Sequence, residues 1–369
     1  MKNKITFGKW EAAGLLINAI SARIFLNFPR PLVESSGTAA WIQMLYVSIL
    51  ALIGFTIIIK LYKKFEGRDL MDISDHIGGG ILRFITGIIL LVTFIVVCSI
   101  ILREYSENMK VIAFNVSPIS FVMLFFLVGM IVAAYLGMEA IVRLHAIAIP
   151  IITVGFVIIF LGVAPFYDVS NLYPLLGNGP KKIFGSGFFA LSTFSPLVYL
   201  YLMPPFIKTH KNLKRAGYIG IAFSIFFSMA SVLVYEMVFG YPSGTESFLP
   251  TFELARLINY GRFFQRVESV FMFSWVISAM LYLSIILYFS AYVLQKMFRL
   301  KFYKPLIFPL VVIIFCISFL PPNLMTSITL ETKYFTYFLW TLGFVIPVIL
   351  LLIGRFVKRK PEKEILKDE

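Results

Sequence analysis

Apolar residues along this chain fall into about ten blocks of roughly 20, the length that carries a helix across a ~30 Å hydrocarbon layer, and short polar stretches separate them. Length predicts spans at 10–29, 41–60, 82–102, 117–136 and 140–164, then at 183–207, 216–240, 268–297, 305–321 and 334–355. Helical periodicity adds nothing, because the blocks are apolar all round, as buried or lipid-facing helices are.

Two blocks are interrupted by small and polar residues at matching places. The first carries Asn18-Ala19-Ile20-Ser21-Ala22-Arg23, and the sixth carries Ser192-Thr193-Phe194-Ser195-Pro196. Inside a bilayer, backbone that leaves a helix must find partners in protein or line a cavity, so breaks five spans apart predict a midplane site for a small solute. On this reading the amides of Ser21, Ala22 and Arg23 receive a carboxylate at a half-helix end. Thr193, Phe194 and Ser195 offer carbonyls to an ammonium, with Phe194 as an aromatic gate. The competing reading is that both sets only kink or pack helices. Division into 1–164 and 183–355, before a tail at 356–369, gives halves of five spans with opposite topology, an inverted repeat within one transmembrane domain.

Composition agrees. With 59% hydrophobic and 14% charged residues and a mean hydropathy of +0.89, the chain reads as an all-α integral membrane protein. Ten spans take about 200 residues, which leaves no room for a separate catalytic domain, so no enzyme is expected. The net charge of +14 is gathered in alternate loops, such as Lys60, Lys63, Lys64 and Arg68. The positive-inside rule then puts both termini in the cytoplasm, with the basic residues meeting anionic lipid and not nucleic acid. The long apolar stretch after Lys2 and Lys4 lacks a cleavage site and reads as a retained span. Cys98 and Cys316 sit in separate apolar blocks, three histidines are dispersed, and Gly78-Gly79-Gly80 lacks a P-loop lysine. Neither metal nor cofactor is expected.

Several ionisable and hydroxyl residues remain candidates. Arg23 either neutralises a ligand carboxylate, locks the free carbonyls of the first break, or snorkels to the outer surface. Glu139 and Arg143, four apart, form a local ion pair or place a cation where sodium sits in sodium-coupled transporters, with His145 beside them. Ser278 and Tyr282 lie one turn apart on the eighth span and face the cavity or bond between helices. Glu236 is protonatable or interfacial. The connection 241–267 contains a helix-like stretch at 252–258 that predicts an outer lid.

Three motifs carry a family resemblance: Asn171-Leu172-Tyr173-Pro174-Leu175-Leu176 followed by Gly177, the run Leu249-Pro250-Thr251-Phe252-Glu253-Leu254-Ala255-Arg256-Leu257-Ile258, and Gln265-Arg266-Val267-Glu268. With length and span count, they resemble the B subunits of Ger-type nutrient receptors of bacterial endospores, a branch of the amino acid–polyamine–organocation transporters. The resemblance implies a LeuT-type fold with broken helices one and six. It also implies a germinant-sensing subunit in the spore inner membrane, beside A-type and C-type subunits, that takes an amino acid or another small nutrient. Arg266 and Glu268 match the family's Arg-x-Glu, as a mutual pair or a dock for the C subunit. The sixth break departs from the family's Phe-Gly-Glu-like step, having neither Gly nor Glu. A proton-coupled amino acid transporter and a structural subunit with a degenerate site are the alternatives.

Overall fold

A computed structural model describes residues 7–207, 209–259 and 267–357. The elements are α1 (Lys9–Ser21), α2 (Pro29–Ser36), α3 (Ala40–Tyr62), α4 (Leu70–Ile112), α5 (Ile119–Leu136), α6 (Met138–Gly162) and α7 (Leu197–Leu202). They continue with α8 (His210–Val238), α9 (Pro250–Leu257), α10 (Glu268–Phe298), α11 (Lys304–Ser318), α12 (Leu324–Thr329), α13 (Thr336–Trp340) and α14 (Ile346–Phe356). Among the described residues seven continuous helical stretches are long and apolar enough to cross a membrane unaided. The remaining passes are α1 with its following turn, the irregular stretch leading into α7, and the shorter α11.

Both predicted breaks are present as departures from α-helix. The first pass leaves α1 at Ser21, tightens into a 3₁₀ turn at Ala22–Phe25, and restarts at α2, where Pro29 fills a first-turn position that needs no amide hydrogen. The sixth pass runs through a π turn at Lys181–Gly185 and a nine-residue 3₁₀ stretch at Ser186–Phe194, then becomes α-helical only after Pro196. Runs of 3₁₀ this long are uncommon because their hydrogen bonds are poorer. Packing on both sides holds this one: a Cβ on Gly343 would press on Ser195 Cα and Phe194 O, and a Cβ on Gly187 would press on Gln43.

Two expectations change. The connection between the second and third predicted spans is helical from Leu70 and begins α4. Asp69 accepts the Asp72 amide at 2.9 Å and Asp72 accepts the Asp69 amide at 3.3 Å, a reciprocal cap. Gly79, at φ 63° and ψ −152°, then turns the chain into the long pass, a conformation that suits glycine because it has no Cβ. Secondly, the tenth pass starts at Leu324 instead of 334, capped by Asn323 through the Thr326 amide at 2.9 Å. Apolar length alone trims both helices where polar residues enter them and leaves Glu104 and Glu331 outside the spans, although they lie within.

α1, α4 and α10 occupy the centre, with α8 and α6 packed on α1. Trp275, Tyr105, Tyr282, Phe25 and Phe271 are fully buried there. Outward rows such as Ile49, Ile53 and Ile57 on α3, and Phe121, Phe125 and Val128 on α5, remain exposed as a lipid-facing surface requires.

The face carrying the chain ends is tied by charge. Lys296 Nζ on α10 lies 2.8 Å from Asp69 and 2.6 Å from Asp72. Tyr292 donates to Asp69 at 2.5 Å, and Asp75 pairs with Arg83 at 2.5 Å and Arg299 at 3.1 Å. On the opposite face the Asn171–Gly177 motif is a strap over the α2–α3 junction. Thr38 donates to Pro174 O at 2.6 Å, and the Asn178 amide donates to Ser36 O at 3.1 Å.

Candidate functional site

Between the two broken passes lies a cavity of about 190 Å³, walled by Arg23, Asn27, Leu32, Gln43, Phe189, Ser192, Thr193, Glu331 and Tyr337. A much smaller void of about 20 Å³ lies beyond Arg23 toward the terminal face, lined by Phe94, Ser195, Tyr199, Tyr282 and Leu342. Arg23 borders both.

Arg23 does not snorkel. It is 9% exposed, and its Nη2 lies 3.2 Å from Glu331 Oε1 on the tenth pass. Glu104 of α4 sits beside the pair and is 1% exposed, and Tyr282 of α10 faces Arg23 across the smaller void. Four elements thus converge on one guanidinium, two carboxylates and a phenol. A guanidinium withdrawn from water requires such partners, since its hydration is lost on burial.

The carbonyls freed at the first break have named acceptor roles. Tyr105 donates to Ala22 O at 3.1 Å, and Thr251 of α9 donates to Ile24 O at 2.8 Å. The amides expected to be free at Ser21, Ala22 and Arg23 are not presented as a helix N-terminus. This is the C-terminal end of α1, and the Ala22 amide bonds Asn18 O. Ser21 is buried, with its Oγ unpartnered, and neither Ser21 nor Ala22 lines the cavity.

Thr193 lines the cavity and Ser195 lines the smaller void, so the sixth break straddles the two spaces. Phe194 is fully buried and borders neither; the aromatic pair at the cavity wall is Phe189 and Tyr337, with ring centroids 4.4 Å apart and edge to face. Ser278 is turned to the first pass, donating to Asn18 Oδ1 at 2.6 Å while Asn18 Nδ2 donates to Ser278 O at 3.2 Å. That clasp joins α1 to α10 about one turn below the break. Tyr282, four residues on, reaches the void.

The Glu139–Arg143–His145 group separates. Arg143 pairs with Glu139 at 2.5 Å on the surface, with the two side chains 69% and 43% exposed. His145 is wholly buried on the α1 side, its Nδ1 2.7 Å from Ile141 O. The cation therefore occupies no interior position. Glu236 is structural: its carboxylate, 2% exposed, accepts the Ala40 and Trp41 amides at 3.0 and 3.1 Å and so caps α3. The expected outer helix exists as α9, but among the described residues it contributes nothing to the cavity wall. It rests on the first break and borders a separate open cleft of about 770 Å³ on the face opposite the chain ends. Glu268 begins α10, half-buried, and Arg266 lies outside the described residues.

Glu331, Glu104 and Asn27 were missed from sequence. A usable signal existed for Glu331: Asn323 three residues before Thr326 is a helix start, which extends the tenth pass far enough to enclose the carboxylate.

Ten helical passes among the described residues, discontinuous at the first and sixth and enclosing a central cavity, define a secondary-transporter scaffold of the LeuT type. Solved structures share this fold. A sodium-coupled sialic acid symporter superposes with a TM-score of 0.66 at 13% identity, over 97% of this chain and 80% of that one. MhsT in complex with L-phenylalanine gives 0.65 at 14% identity, over 92% of this chain and 87% of that one.

Within that class the chain belongs to the spore germination protein family, whose model matches residues 11–327. Spore germination protein YndE of Bacillus subtilis (strain 168) is 24% identical across 95% of this chain and 96% of its own length. Spore germination protein KB of the same organism is 22% identical across 89% and 90%. The chain is accordingly a multi-pass membrane protein of the spore germination family with a transporter-like body.

Proposed function

We propose that this chain is the nutrient-sensing membrane subunit of a spore germination receptor, binding an amino acid or similar small nutrient in the cavity between its broken passes. The observation that carries the reading is the cavity of about 190 Å³ walled by both breaks and floored by the buried Arg23–Glu331 pair. A ligand there touches the first, sixth and tenth passes together, so it favours whichever arrangement of those passes fits it best. α4 and α10 run from the floor to the charge cluster on the terminal face, through Glu104 and Tyr282 at one end and Asp69 and Lys296 at the other. They provide a mechanical route from the cavity to a partner subunit on that face. The terminal face is the cytoplasmic one in this reading, and the membrane is the spore inner membrane.

A proton-coupled transporter is the second reading, favoured by the void on the far side of Arg23, which lines up with the cavity across a single ion pair. One experiment separates the two. The purified chain in sealed proteoliposomes is offered labelled amino acids and hexoses, with Thr193→Trp as a variant that fills the cavity. Saturable binding lost in the variant, without flux, supports the receptor; concentrative flux supports the transporter. Absence of binding to the chain, or unchanged binding in Thr193→Trp, overturns this placement of the site.

A further inference from the structure

Several polar groups in the cavity wall already have partners. Gln43 accepts from Ser36 at 2.5 Å and donates to Gly187 O at 3.3 Å. Thr332 donates to Ile328 O at 2.8 Å, and Thr336 to Glu331 O at 3.0 Å. Against that background two wall residues keep buried nitrogen donors unfilled. Arg23 spends one nitrogen on Glu331, and its Nε has no partner; Asn27, 6% exposed, has no partner for Nδ2. Both stand on the same connecting segment of the first pass, four residues apart, and both line the cavity. A buried donor left empty costs free energy that an incoming acceptor returns. A guanidinium with a neighbouring amide offers the planar pairing that a carboxylate fits best.

We infer that Arg23 and Asn27 together hold the carboxylate of the ligand while Glu331 receives its ammonium, so the cavity takes a free α-amino acid and Asn27 is a specificity-determining residue. This rests on the cavity being the nutrient site. The ligand's two charges then enter between Arg23 and Glu331, each replacing part of what the other residue supplied, and no net charge is added to the buried site. An uncharged solute would leave the guanidinium relying on Glu331 alone and would gain little from Asn27. The clamp uses side chains because the amides of the first break are consumed within their own tightened turn.

The test uses the full-length chain in lipid nanodiscs, with the proteinogenic amino acids, their α-carboxamides and a set of hexoses as probes. An amino acid is expected to bind wild type, and its carboxamide to bind about tenfold to a hundredfold more weakly, the range for a hydrogen bond to a charged group. Asn27→Asp, which keeps the shape but turns a donor into a like charge, should weaken the acid at least as much and leave the cationic carboxamide bound as well as before or better, since the new carboxylate accepts from its amide. Equal affinity of acid and carboxamide for wild type overturns the inference, as does unchanged affinity of the acid for Asn27→Asp. Binding of hexoses in place of amino acids also overturns the clamp while leaving a nutrient receptor standing. Failure of every probe to bind overturns the nutrient site itself. Should Asn27→Asp not fold, the wild-type comparison of acid with carboxamide decides alone.

Discussion

The Arg23–Glu331–Glu104 cluster makes removal of its members unequal. Replacing Glu331 with Gln leaves Arg23 still facing Glu104, which lies beside the pair and is 1% exposed, so one carboxylate remains for one guanidinium. The loss is then close to that of a single charge-assisted hydrogen bond, about 1.5–3 kcal/mol. Replacing Arg23 with Met removes the cation from two buried carboxylates, and a buried charge stripped of its partner costs about 3–5 kcal/mol. Arg23→Met should therefore destabilise more than Glu331→Gln, by roughly 1–2 kcal/mol or more. The double variant should lie well below the sum of the two, since removing the second partner adds little once the first is gone. Adding Glu104→Gln to Arg23→Met should recover stability. The assay is equilibrium unfolding of the purified proteins in mixed micelles, followed by Trp275, which packs on Tyr105 at 5.7 Å between centroids and so reports this region. Equal losses from the two single variants, or additive losses in the double, would refute the shared-cation account.

Glu236→Ala should leave the Ala40 and Trp41 amides without acceptors, at about 1–3 kcal/mol each; Glu236→Gln should recover part of this, and equal losses in thermal unfolding would show that the carboxylate is no cap. Lys296→Met leaves Asp69, which has no exposure, without its cation, at a cost of about 3–5 kcal/mol. Asp69→Asn in the same chain should restore much of it, and faster hydrogen exchange at 70–78 would mark release of that segment. Gly177→Ala puts a Cβ against Ser36 O at φ 39°, so the strap must shift at about 1–3 kcal/mol; the loss should appear as a lower melting temperature, and an unchanged one would place the strap elsewhere.

By itself the sequence determined the number of passes, because membrane thickness sets helix length, and it located both interruptions, because Ser21-Ala22-Arg23 and Ser192 to Pro196 have no place in an uninterrupted apolar helix. The family was legible in its loop motifs. What surrounds Arg23 was not legible. Glu331 lies 308 positions away on the tenth pass, Glu104 lies on the fourth helix, and nothing in local composition says that α4 and the tenth pass bring them to one point. The same holds for Ser278, whose hydroxyl turned out to be committed to Asn18, and for Phe194, which packing buried away from the cavity while Phe189 and Tyr337 took the wall. Hydropathy reports how far a helix reaches through lipid, and it is blind to rotation about the helix axis. Rotation decides which side chains meet, and only the packing of passes distant in sequence fixes it.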